Sequence, residues 1–270
     1  MPTAPARQQH DVVTVFALAV LVYGLAKVTH EAVGHGVACE LVGGDLLGVA
    51  SSWTHCDKAG VGVAGQRIIE AGGTLANLVV GGVALALVRL RSFRSGHLFA
   101  FTWLTAGVNL LIGGGYLLVD PIFSFGDWSD FLAGLEPAFA WRAGASAMGA
   151  AISLGTFFAL RGPLERMLGG SRAERSRQAM LLCWLPYLGA GGVVLTGAAL
   201  LNELGLQYAI TSAAATLGGT FLLVWLPLAI EGESATPTPQ LLVRRGSGWL
   251  VAGSVALVGL FAAFGPGIRF

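Results

Sequence analysis

Seven long apolar runs, separated by short polar stretches, constrain this chain more than any other feature. They lie at roughly 12–38, 66–89, 98–119, 138–160, 179–201, 209–230 and 248–265, the last being the shortest. A helix needs about 20 apolar residues to cross a bilayer. Only 11% of the 270 residues are charged, against about 25% in soluble domains, so the chain cannot cover a globule with polar surface. The expected fold is all-α: a polytopic transmembrane helical bundle of about six to seven membrane segments. Stretches of alternating apolar and polar residues are brief, which excludes a membrane barrel. Forty glycines suit helices that approach closely in lipid. A net charge of +1 points to no nucleic-acid partner, and three cysteines are too few for a disulfide scaffold.

Arginines orient the chain. Arg89, Arg91 and Arg94 follow the second run, Arg161, Arg166, Arg172, Arg175 and Arg177 follow the fourth, and Arg244 and Arg245 precede the seventh. These loops alternate with poorly basic ones at 39–65, 120–137 and 202–208. The positive-inside rule puts the arginine loops, and the N-terminus with Arg7, in the cytoplasm. Asp120, Asp127, Asp130 and Glu136 then fall outside. Gly24-Leu25-Ala26 could pass for a signal-peptide cleavage site. The helical pattern runs through it, however, and the flanking region holds one arginine with Asp11 close by, so an uncleaved first helix is expected. The chain divides into residues 1–160, which hold the notable polar groups, an Arg-, Gly- and Ser-rich cytoplasmic loop at 161–178, and accessory helices at 179–270. The expected setting is the plasma membrane of a prokaryote.

The stretch "VTHEAVGHGVACE", residues 28–40, carries the chemistry. The eighteen steps from Val12 to His30 cover about 27 Å of helix, nearly the hydrocarbon thickness, so the histidines sit near the outer interface. His30, Glu31 and His35, with Lys27 before them, are costly at that depth, and such residues mark functional sites. Two neutral imidazoles and a nearby carboxylate suit zinc with an acid–base partner. The common H-E-x-x-H motif places its histidines four apart on one helix face. Here they are five apart, about 140° around a regular helix at about 100° per residue. A π-bulge would return them to one face, eased by Gly34; alternatively the helix ends at Gly34. The bland alternative is a pair of interfacial polar residues at a helix end.

"HEAVGHG" resembles the zinc motif of the site-2 protease class of intramembrane metalloproteases. "EAGGTLANLVVGG", residues 70–82, resembles that family's small-residue helix. "GVNLLIGGGYLLVDP" and "FSFGDWSDFLAG", within residues 107–134, resemble its third core helix and the stretch supplying an aspartate ligand. The likeness spans roughly residues 12–135. It implies Zn2+ held by two histidines and an aspartate, Glu31 as general base, and Asn77 and Asn109 near the site, with Asn109 holding substrate. The string also resembles the H-E-x-x-x-H motif of the soluble TldD-type peptidases. This chain departs from the site-2 pattern in its histidine spacing, in Ile112 where a proline stands, and in lacking a following Asp-Gly.

A third ligand must come from another helix on the same face. Asp127 is the first choice, because Gly126 permits a turn toward the site. Asp120 is the runner-up; it precedes Pro121 and could instead end the helix. Interhelical hydrogen bonding is the competing role for Asn77 and Asn109. Glu70 is positioned to pair with Arg67. Cys39 and Cys56 are expected as free thiols, with a disulfide permitted outside the cell and His55-Cys56 as a further possible metal contact. Cys183 reads as core, and His10 and His97 read as surface residues. Three functions follow. The first is a zinc metallopeptidase, a hydrolase acting on membrane-associated protein substrates. The second is a catalytically degenerate membrane scaffold that binds metal or a partner, suggested by the lack of a soluble domain to select substrate. The third is a small-solute transporter, disfavoured because the polar residues cluster at one interface.

Overall fold

The computed structural model describes residues 9–90, 93–203, 205–230 and 240–270; Arg7 and Arg91 of the arginine pattern lie outside them. Among the described residues, seven helices are long and apolar enough to span a membrane: α1 (Val12–Leu41), α2 (Val63–Leu90), α3 (Gly96–Phe123), α5 (Ala138–Glu165), α6 (Arg172–Ala199), α7 (Leu206–Ala229) and α8 (Ser247–Phe264). A short helix, α4 (Asp127–Leu132), links α3 to α5. The protein is an all-α, multi-pass membrane bundle, as the hydropathy pattern predicts. Its outside is apolar: Val79, Val83, Phe158, Val193, Val251 and Val255 are exposed, which is stable only against lipid.

Helix ends follow local chemistry. Asp11 caps α1 by accepting from the Thr14 amide at 2.8 Å. Ser171 and Glu174 form a capping box at the start of α6. Helix α6 therefore begins inside the stretch read as an arginine loop, and only a turn at 166–171 separates it from α5. Arg172 and Arg177 are exposed there while their backbone stays helical, and Arg175 is buried.

Helix α3 is the most buried span. It packs against α1, α2, α5 and α7, and α1 packs against α6 and α8. Gly115 and Gly219 set the closest α3–α7 approach: a Cβ on Gly115 would stand 2.3 Å from the Gly219 Cα. The back half is thus wrapped onto the front half and helps to build the site.

A three-stranded antiparallel sheet covers one end of the bundle, ordered β2 (Thr54–Asp57), β1 (Asp45–Val49), β3 (Ile268–Arg269). These strands are too short to signal themselves in sequence. Cys39 and Cys56 form a disulfide between α1 and β2, against the expectation of free thiols, and this removes Cys56 as a metal contact. The arginine pattern assigns this end to the outside, where disulfides persist.

Two further expectations are corrected. His10 is buried: its imidazole bonds the Met167 carbonyl at 2.8 Å and accepts from the Val243 amide at 3.1 Å, and burial pushes its pKa below the ordinary value. Its aqueous-edge position does not expose it, because the chain folds over it. Glu70 pairs with Lys58 across a loop, not with Arg67, which donates to the Ala133 carbonyl at 3.0 Å. His97 is half-buried and bonds the Arg244 carbonyl at 2.7 Å; Cys183 is core.

Candidate metal centre

Residues Thr29–Gly36 of α1 form a π-helix. Its i→i+5 hydrogen bonding brings residues five apart onto one face, and the His30 and His35 ring centroids lie 4.9 Å apart. The helix does not end at Gly34. That glycine serves a close crossing: a Cβ there would stand 2.4 Å from the Gly73 Cα and 2.6 Å from the Gly72 carbonyl oxygen. The widened turn is thereby pressed against α2.

Both rings are fixed from behind. His30 Nδ1 lies 2.8 Å from Asn77 Oδ1, and His35 Nδ1 lies 2.7 Å from the Ile69 carbonyl. Both partners accept, so both Nδ1 atoms donate, and in the neutral ring each Nε2 carries the lone pair that a metal would take. Both Nε2 atoms point at Asp127 Oδ2, each at 3.1 Å. The three ligand atoms lie within 4.8 Å of one another. With neutral rings, three electron-rich atoms converging this closely could hold a cation between them. Ligand atoms about 2.0–2.1 Å from one tetrahedral zinc stand about 3.3 Å apart, close to the 3.1 Å from each Nε2 to the Asp127 oxygen. The His30, His35 and Asp127 group fits a metal ion.

Tertiary contacts carry Asp127 to this point. Gly126 takes a positive φ of 78° and turns the chain into α4. Trp128 Nε1 donates to Thr74 Oγ1 at 2.9 Å, pinning α4 to α2. Asp120 is not a ligand here: its Oδ2 accepts from the Trp128 amide at 3.3 Å and holds the α4 turn.

Glu31, beside His30, is buried with its carboxylate in the same cavity. Lys27 Nζ donates to Oε1 at 3.0 Å and Thr54 Oγ1 to Oε2 at 3.1 Å. Lys27 also reaches Ser212 Oγ at 3.2 Å and Tyr116 OH at 3.4 Å. The cavity measures about 490 Å³ and collects residues from all three poorly basic loops, among them Thr54, Asp127 and Tyr208.

Asn109 does not line the cavity. Its side chain accepts from Asn77 Nδ2 at 2.7 Å and donates to the Thr105 carbonyl at 2.9 Å. The expected substrate contact is corrected to a support: Asn109 holds Asn77, which holds His30. Truncating Asn77 to alanine is expected to weaken metal affinity about 10- to 100-fold, the usual effect of removing a ligand's hydrogen-bond partner. Competition with a chelator measures it, and unchanged affinity would remove Asn77 from the site.

Thr54, Tyr116, Ser212, Gly72 and Gly73 escape sequence reasoning. The only signal is the pair of adjacent glycines at 72 and 73, one among many glycine pairs. No family model, curated protein or solved structure matches the chain. Fold and site together define a multi-pass helical membrane protein with a His-His-Asp group able to hold a metal ion.

Proposed function

We propose that this protein is an intramembrane zinc metallopeptidase related to the site-2 protease class, hydrolysing peptide bonds of membrane-associated proteins. The observation that carries this reading is the convergence of His30, His35 and Asp127 beside the buried carboxylate of Glu31, in one cavity at the end of the bundle. Two imidazoles and a carboxylate are a donor set that zinc favours. When bound, zinc supplies Lewis-acid polarisation and makes water acidic enough to deprotonate near neutral pH. With zinc bound, Glu31 would be the group to take a proton from the attacking water and pass it to the leaving amine. Thr54 and Lys27 fix the two carboxylate oxygens, so Glu31 is oriented before substrate arrives. The disulfide suits a site on the oxidising face of a plasma membrane.

Glu31→Gln keeps the shape and removes the base. Turnover is expected to fall about 10²- to 10⁴-fold with metal content unchanged. The measurement is cleavage of a fluorogenic apolar peptide library by zinc-loaded protein in nanodiscs. The Lys27–Glu31 ion pair favours a second reading, a metal-binding scaffold without proteolysis, since it engages the carboxylate that catalysis needs. Zinc binding with no cleavage by either form would select that reading.

A further inference from the structure

Five carboxylates line the cavity, from Glu31, Glu70, Asp120, Asp127 and Asp130, while Lys58 is the one lysine or arginine among its described lining residues. Most have partners: Glu31 has Lys27, Glu70 has Lys58, and Asp127 has the two histidines. Asp130 is exposed at the mouth. Asp120 differs. It is 0% exposed, its Oδ2 accepts the Trp128 amide, and its Oδ1 makes no hydrogen bond within the protein.

A buried carboxylate oxygen without a donor is costly. Its place makes it more so, since Asp120 is in the last turn of α3, where the helix dipole disfavours negative charge. No second metal-capable group of histidine, cysteine or acidic residues exists among the described residues, so an inorganic ion would find few ligands beside it. An organic cation brings its own stem. Phe125 lines the same wall and offers it an apolar surface.

We infer that Asp120 is a specificity subsite that receives a lysine or arginine side chain of the substrate, next to the bond cleaved. The Asp120 carboxylate bonds the amide of Trp128, the residue after the proposed ligand Asp127, which places the cation beside the metal centre. This rests on the peptidase reading, but binding tests it separately from cleavage.

The probe is a set of fluorescent apolar hexapeptides carrying lysine, or its uncharged near-isostere norleucine, at each position in turn. Anisotropy with zinc-loaded protein in nanodiscs reads binding. At one position lysine should bind about tenfold or more tighter, the scale of one charged hydrogen bond. Asp120→Asn, which still accepts from Trp128, should abolish that preference while norleucine binding and metal content stay unchanged. No lysine preference in the wild-type protein overturns the subsite, as does a preference that survives Asp120→Asn or a loss of metal in that variant. Lysine preference without cleavage leaves the subsite standing and refutes the peptidase reading; cleavage without preference does the reverse.

Discussion

Replacing His35 with alanine is expected to lower bound zinc from about one ion per chain to near zero, because two protein ligands do not hold a zinc that needs at least three. The remaining pair, His30 and Asp127, would keep one 3.1 Å contact but lose the second imidazole. The fold should survive, since the hydrogen bonds of the His35 side chain go to the Ile69 carbonyl and Asp127, within the site itself. Metal analysis of detergent-purified protein measures it, with His97→Ala at the opposite end as a control that keeps its zinc. Equal metal in wild type and His35→Ala would sink the metal centre, and the histidines would then be interfacial residues on a degenerate scaffold.

A single methyl on α2 should act almost as strongly. A Cβ on Gly73 would stand 2.5 Å from His35 Nε2 and 2.6 Å from His30 Nε2, where both lone pairs converge. The two helices already touch here, the Gly72–Gly73 backbone lying against the π-turn at Gly34, so there is no slack for a methyl. Gly73→Ala is therefore expected to weaken zinc binding by about 100-fold or more, the upper end for disturbing ligand support. Alanine favours helix over glycine by roughly 0.5–1 kcal/mol, so helix content should not fall. Gly82→Ala is the control, because a Cβ there meets nothing within 4 Å. Chelator competition and circular dichroism read both outcomes. Wild-type affinity in Gly73→Ala would mean that the two helices do not cross this closely.

Residues whose roles depend on their own segment were legible. The five-residue spacing of His30 and His35 demanded a π-turn if the rings were to share a face, and the helix has one. Gly126 before Asp127 announced a turn, and its positive φ provides it. Residues whose roles depend on a distant partner were not. The resemblance implied a substrate contact for Asn109, whereas its side chain bonds Asn77, the interhelical role that competed with it. His10 looked exposed because it lies near the cytoplasmic end of a helix, whereas a segment 233 residues away closes over it. The Cys39–Cys56 disulfide depends on β2 folding back to the end of α1.

The sequence by itself determined the membrane class, the seven spans and the helix that carries His30, Glu31 and His35. Hydropathy, caps and spacing are local properties, and in lipid each helix satisfies its own backbone hydrogen bonds before it meets another. The tertiary structure alone decided that Asp127 rather than Asp120 meets the histidines, that Asn77 and Ile69 set their rings, and that Gly73 leaves room between them. Those choices depend on how closely helices cross. Interhelical contact in a membrane is governed by the shape of small residues and by polar pairing, and neither can be read from one helix alone.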